Sequence, residues 1–152
     1  MKNTFLLLSI FGLLSFISCS DFLFFGNSGS SSNIEEMDLH EVVIAINNEV
    51  GEAKAEQVSY CSILPIGAKP CGGPWGYLVY STQETNEDRL KNLIERYDEL
   101  DKIRNAEDER FSTCDMAQPP NLTLENGSCN GGGPYAWNPH FILEQNGITD
   151  ED

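Results

Sequence analysis

Five cysteines in 152 residues constrain this chain more than any other feature; they stand at positions 19, 61, 71, 114 and 129. Cys19 is set apart from the rest by what precedes it. Lys2 supplies a positive charge, and Thr4 to Ile17 follow with almost nothing polar. A run of about 14 residues is too short to cross ~30 Å of hydrocarbon as a helix. It has the length and flanks of the apolar region of a secretory leader, here residues 1–18. Export carries a chain into an oxidising compartment, where an even set of cysteines reads as a disulfide framework.

The leader ends Ser15-Phe16-Ile17-Ser18-Cys19, which resembles the lipobox of bacterial lipoproteins, with Phe16 in place of the usual Leu. The resemblance implies that the Cys19 thiol is linked to diacylglycerol, that the leader is cut before it, and that the new amine is acylated. Several acyl chains at about 0.8 kcal/mol per buried methylene anchor a protein stably. In that family an Asp directly after the Cys favours the inner membrane; Ser20 stands there, so the resemblance implies the outer membrane. Phe22 to Phe25 would lie near the headgroups, and Gly26 to Asn33 has the composition of a flexible spacer. Residues 19–33 are thus expected to be a lipidated tether.

Four cysteines remain, and three pairings of them are possible. Cys61–Cys71 and Cys114–Cys129 are the expected bridges, since each closes the shortest loop. A zinc site is the rival, but no two of the four stand close enough in sequence for a chelating pair. The two-residue spacing of a redox pair is also absent.

Between residues 34 and 129 the hydrophobic pattern predicts one α+β domain, a short antiparallel sheet packed by one long and one short helix. Asp38 and Glu41 form a capping pattern, and Leu39, Val42, Val43, Ile46 and Val50 follow at helical spacing up to Gly51. The short helix is therefore placed at 39–50. Val58–Ile66 and Tyr77–Thr82 are rich in strand formers and are expected to pair antiparallel. Thr85 and Asp88 resemble a second cap, before a helix at 86–106 whose stripe is Leu90, Leu93, Ile94, Tyr97, Leu100 and Ile103. Its many charges are assigned to a solvated face, with Glu87–Lys91 and Asp98–Lys102 as helical ion pairs. Asn121–Glu125 is predicted to be a strand entering an Asn126-Gly127 hairpin turn. Residues 130–152 are expected to be a glycine- and aromatic-rich extension with an acidic end.

Two stretches echo each other. Cys71-Gly-Gly-Pro-Trp75-Gly-Tyr77 and Cys129-Asn-Gly-Gly-Gly-Pro-Tyr135-Ala-Trp137 both run from a cysteine through glycines and a proline to two aromatics. They are candidates for rigid aromatic loops set side by side, which makes Trp75, Tyr77, Tyr135 and Trp137 candidate binding residues. The segment from Cys61 to Cys129 also resembles a group of small bacterial exported proteins and lipoproteins without an assigned activity. The resemblance rests on Cys61, Gly67-Ala-Lys-Pro-Cys-Gly-Gly-Pro74, Tyr77-Leu-Val-Tyr-Ser81, Tyr97, Asn105, Ser112-Thr-Cys114, Pro120 and Gly127-Ser-Cys129. It implies one compact disulfide-bonded unit and transfers no catalytic residue.

Function classes can be narrowed from charge and motif. Nine Lys and Arg face 24 Asp and Glu, for a net charge of −15, which disfavours nucleic acid as a partner. Phosphate loops, nucleophile elbows and zinc-helix motifs are missing, so no cofactor or metal is expected. The two histidines, His40 and His140, are expected at the surface or in packing. The reading is a non-enzymatic, lipid-anchored envelope protein that binds another envelope protein or a cell-wall component. Three alternatives stand beside it. A protease inhibitor would present Lys69-Pro70 on a loop clamped by Cys61 and Cys71. A structural envelope component would need no ligand. A hydrolase would need Ser81, His140 and one of the many carboxylates brought together.

Overall fold

A computed structural model describes residues 33–149. The expected leader, Cys19 and most of the tether lie outside the described residues, as do residues 150–152. Helix α1 (Leu39–Val50) begins at a full capping box. The Glu41 amide donates to Asp38 Oδ1 at 2.9 Å, and the Asp38 amide donates back to Glu41 Oε2 at 3.0 Å. Two of the orphan donors at a helix start are satisfied this way. Val42, Val43, Ile46 and Val50 are buried, as the helical spacing requires.

Strand β1 (Cys61–Ile66) and strand β2 (Gly76–Ser81) pair antiparallel, with Cys61 opposite Ser81 and Ile66 opposite Gly76. The first strand is shorter than expected, because Val58–Tyr60 forms a 3-10 turn. Helix α2 (Glu87–Glu107) follows. Its cap is Asn86, whose side chain accepts from the Arg89 amide at 3.1 Å, and not Thr85. Thr85 is buried instead, with its hydroxyl unpartnered among the described residues. Strands β3 (Asn121–Glu125) and β4 (Ser128–Gly132) form a separate hairpin. Its turn residues Asn126 and Gly127 have φ of 52° and 78°, the left-handed pair that an Asn-Gly turn provides. Strand β5 (Ala136–Trp137) adds to the free side of β2 in parallel, and helix α3 (Phe141–Gln145) closes the chain.

The fold is therefore the expected α+β arrangement, with a three-stranded sheet ordered β1-β2-β5. The β1–β2 pair is antiparallel as expected, and β5 adds a short parallel edge to it. The extension expected after residue 129 proves to be part of the core. Trp137, Ile142 and Leu143 are buried in the same cluster as Val43, Leu78, Leu93 and Tyr97. Their burial needs Gly76: a Cβ there would meet the Trp137 ring at 2.4 Å and the Tyr135 carbonyl at 2.8 Å. Among the described residues no helix is long and apolar enough to cross a membrane.

The disulfides are Cys61–Cys129 and Cys71–Cys114, which overturns the expected pairing. The reason is the length of the β1–β2 hairpin. Cys61 lies at the open end of the hairpin and Cys71 in its connecting loop, so at ~3.3 Å per residue the strand alone separates them by about 17 Å. Cys129, on the buried face of β4, meets Cys61.

Two outcomes follow. Peptide mapping under non-reducing conditions should recover the Cys61–Cys129 and Cys71–Cys114 cross-links. Gly76→Ala should lower stability by about 1–3 kcal/mol through overpacking against Trp137. Gly132→Ala, whose added Cβ meets only the Asn121 carbonyl at 3.9 Å, should be close to neutral in the same urea titration.

Candidate functional site

The apolar stripe of α2 changes character halfway along. Leu90, Leu93, Ile94 and Tyr97 are buried as expected, Leu100 is half-buried, and Ile103 is 52% exposed. The buried face continues instead through Asp101 and Asn105, which follow Tyr97 in steps of four. Asp101 is fully buried and ionic. Its Oδ1 accepts from Arg104 Nη2 at 2.7 Å and Arg110 Nη1 at 3.0 Å. Its Oδ2 accepts from the Trp75 indole at 2.8 Å and the Ala68 amide at 3.0 Å. Four donors with two positive charges meet the cost of burying one carboxylate.

These donors fix the β1–β2 loop against the helix. The Gly67 amide donates to Asp98 Oδ1 at 2.7 Å, and Asn105 Nδ2 donates to the Ala68 carbonyl. Gly67 has φ of 81°, and a Cβ there would meet the Trp75 ring at 2.4 Å, so only glycine lets the indole lie on the backbone. Asp98 therefore serves the loop rather than the expected ion pair with Lys102. Burial pushes its carboxyl up to about 6, against the opposing pull of the Gly67 amide and Lys102.

Above this cage lies an open cleft of about 370 Å³. One wall comes from the loop and the segment after α2: Lys69, Trp75, Arg110, Thr113 and Asp115. The facing wall is Pro134, Tyr135, Trp137, Phe141 and Gln145, with Tyr97 and Arg104 between. Lys69 is 6% exposed and pairs with Asp115 at 3.3 Å. Its ammonium also lies 5.9 Å from the centroid of the Trp75 ring and 5.5 Å from that of Tyr135. The Arg110 guanidinium carbon is 5.3 Å from the Trp75 ring centroid. Asp115 accepts hydrogen bonds from Thr113 and Tyr135, which with Lys69 hold its carboxyl well below the ordinary range. Three of the chain's nine Lys and Arg thus stand in one cleft of a strongly acidic protein.

The sequence candidates divide accordingly. Lys69, Trp75, Tyr135 and Trp137 all line the cleft, and the two aromatic loops do meet there: the Tyr77 amide donates to the Tyr135 carbonyl at 2.8 Å. Trp137 contributes only an edge, since it is 5% exposed and packs edge-on against Tyr97 and Phe141. Tyr77 does not line the cleft; its hydroxyl donates to the Ala117 carbonyl at 3.4 Å. Lys69 cannot serve as the bait of an inhibitory loop, because it is buried and the Cys61–Cys71 clamp does not exist. Ser81 is fully buried and bonds the Gln83 amide, whereas exposed His140 bonds Asn47 and Glu52, so the two are not joined. Sequence reading missed Asp101, Arg104, Arg110, Asp115, Phe141 and Gln145. The available signal was a carboxylate and an amide continuing an apolar stripe at i+4.

No family model, curated protein or solved structure matches the chain.

Asp101→Ala should cost about 3–5 kcal/mol, because it strands two cations in a partly dry site; equilibrium unfolding of the oxidised protein measures this. Asp98→Asn keeps an acceptor for Gly67 but cannot ionise. The ionised Asp98 costs stability above its folded pKa of about 6, and that cost disappears as pH falls towards the ordinary aspartate value of 3.8. The variant should therefore be the more stable protein at pH 7, with its advantage shrinking steadily between pH 6 and 4 in thermal melts.

Proposed function

We propose that this chain is an envelope lipoprotein, anchored in the outer membrane through Cys19, whose domain is a non-enzymatic binding module. The observation that carries the binding reading is the cleft. It gathers Lys69, Arg104 and Arg110 with Trp75, Tyr135 and Phe141 on two walls, the charged one held by a buried ionic cage and a disulfide. Small-ligand sites combine such apolar and aromatic surface with a few convergent polar groups, and they are largely preformed. A tether of glycine and serine would let the module reach its partner in the cell envelope.

The test is affinity capture. The full chain, oxidised and held in detergent, is immobilised and exposed to envelope extract, with a Tyr135→Ala copy as control. Tyr135 is half-buried, and its ring can be removed while its backbone carbonyl still accepts from Tyr77. The expected outcome is a species retained by the parent and lost by the control at equal thermal stability. Identical retention by both proteins would remove the cleft from the function. Labelling with radioactive palmitate, abolished by Cys19→Ala, tests the anchor.

A further inference from the structure

We infer that the cleft takes an acidic sugar, a ligand of disaccharide size carrying one carboxylate that is read by Arg110. The inference rests on the proposed binding role and names the chemistry of its ligand.

The charge count in the cleft sets the sign of the ligand. Lys69, Arg104 and Arg110 face two carboxylates, Asp101 and Asp115, which leaves one positive charge in excess. The remainder of the chain is strongly negative, so a long polyanion is repelled while a small single anion is not. The three cations are not equivalent. Lys69 is spent on Asp115 and two rings, and its side chain is 3% exposed. Arg104 uses Nη2 on Asp101 and Nη1 on Asn146, and its Nε is buried. Arg110 is 34% exposed and bonds Asp101 through Nη1 alone. Its Nε and Nη2 make no hydrogen bond to any described residue, and together they form the side-on edge that a carboxylate meets with two parallel bonds. Asp101 anchors the guanidinium through Nη1, and the Trp75 ring lies beside it, which restricts how the free edge can turn.

The rest of the lining sets the class. Asp115 and Gln145 in the lining carry oxygens able to accept hydrogen bonds, and Asp115 repels a second acid. They suit hydroxyl donors. Tyr135 and Phe141 are half-buried rings whose apolar surface suits the C–H face of a sugar. A volume of about 370 Å³ is at the small end for ligand sites, which limits the occupant to about two rings.

The probes are cellobiouronic acid, cellobiose and acetate, each titrated into the full chain in detergent. The readout is the indole N–H resonances, of which there are two, from Trp75 and Trp137. The expected result is saturable movement of the Trp75 signal by the acid. Cellobiose should bind at least ten-fold more weakly, and acetate more weakly still. Arg110→Gln should erase the preference for the acid, and Arg110→Lys, which keeps a charge for Asp101 but loses the planar edge, should restore part of it. Equal binding of acid and neutral sugar, unchanged by Arg110→Gln, would overturn the role of Arg110 while leaving a sugar-binding cleft. Acetate competing as well as the disaccharide would overturn the sugar. No binding of any probe to folded protein would overturn the inference outright. The binding role would then stand or fall separately, on whether Tyr135→Ala loses its captured species.

Discussion

The fold turns on one buried carboxylate. Asp101 has no exposure to solvent, and a lone ionised carboxylate in that position would be prohibitively costly. It is tolerable only because its four donors come from three separate parts of the chain: the β1–β2 loop, the last turn of α2 and the segment beyond it. Two of those parts, the β1–β2 loop and the segment beyond α2, are not held in place by regular secondary structure in the region of contact. The loop carries glycines and prolines, and the segment from 109 to 120 has neither helix nor strand. Replacing the ion cluster by apolar side chains would cost little in a generic core. Here it would remove the directional bonds that decide where the loop sits. The cluster therefore specifies a conformation rather than adding much net stability.

The disulfides divide the remaining work by depth. Cys61–Cys129 joins β1 to β4 at the core, with Cys129 1% exposed. Cys71–Cys114 joins two exposed residues and fixes the segment carrying Thr113 and Asp115 against the hairpin loop. The bridges are nested, with separations of 68 and 43 residues. In the chain-entropy picture each such loop is worth about 4 kcal/mol alone, against about 3 kcal/mol for a loop of some 15 residues. The second closure acts inside the first, so the two contributions are not additive. Nested bridges also tie the first strand of the sheet to the β3–β4 hairpin, which the two expected sequential bridges would not.

How much of this was legible in the sequence depended on whether the cause was local. The capping box at Asp38, the turn at Asn126-Gly127 and the burial of Val42, Val43 and Ile46 are decided within a few residues, and all were readable. The disulfide pairing was not, because it depends on how far a six-residue strand carries Cys61 from Cys71. Asp101 was hidden for a different reason. In a chain with 24 acids, one more carboxylate on a helix looks like a solvated face. Only its position on the stripe of Leu90, Ile94 and Tyr97 distinguishes it from Asp98 or Glu99. The aromatic stretch after Cys129 reads as a binding candidate but also as an extension, since glycines and prolines mask a two-residue strand. What gives that strand its place is a vacancy on β2 made by Gly76, and no local rule around residue 136 points to it.

The two walls of the cleft are consequently separable in the chain. Every donor to Asp101 lies before Cys129, and the ring surface opposite lies after it. Beside the cleft, side chains join the two halves at two places: the Tyr135 hydroxyl donates to Asp115, and Asn146 accepts from Arg104 Nη1 at 2.9 Å and shares hydrogen bonds with the Tyr97 hydroxyl. Substitutions at Tyr135, Phe141 or Gln145 can thus reshape the cleft without disturbing the carboxylate that holds Arg110 in place. The charged wall is tied into the folding of the domain through Asp101, while the aromatic wall is attached by a short parallel strand, the buried side chains of Trp137, Ile142 and Leu143, the Tyr135–Asp115 hydrogen bond and the Asn146 amide. In the proposed binding role, a site built in this way would fix the sign of the charge it accepts through its core and leave the shape of the ligand to a part of the chain that can change independently.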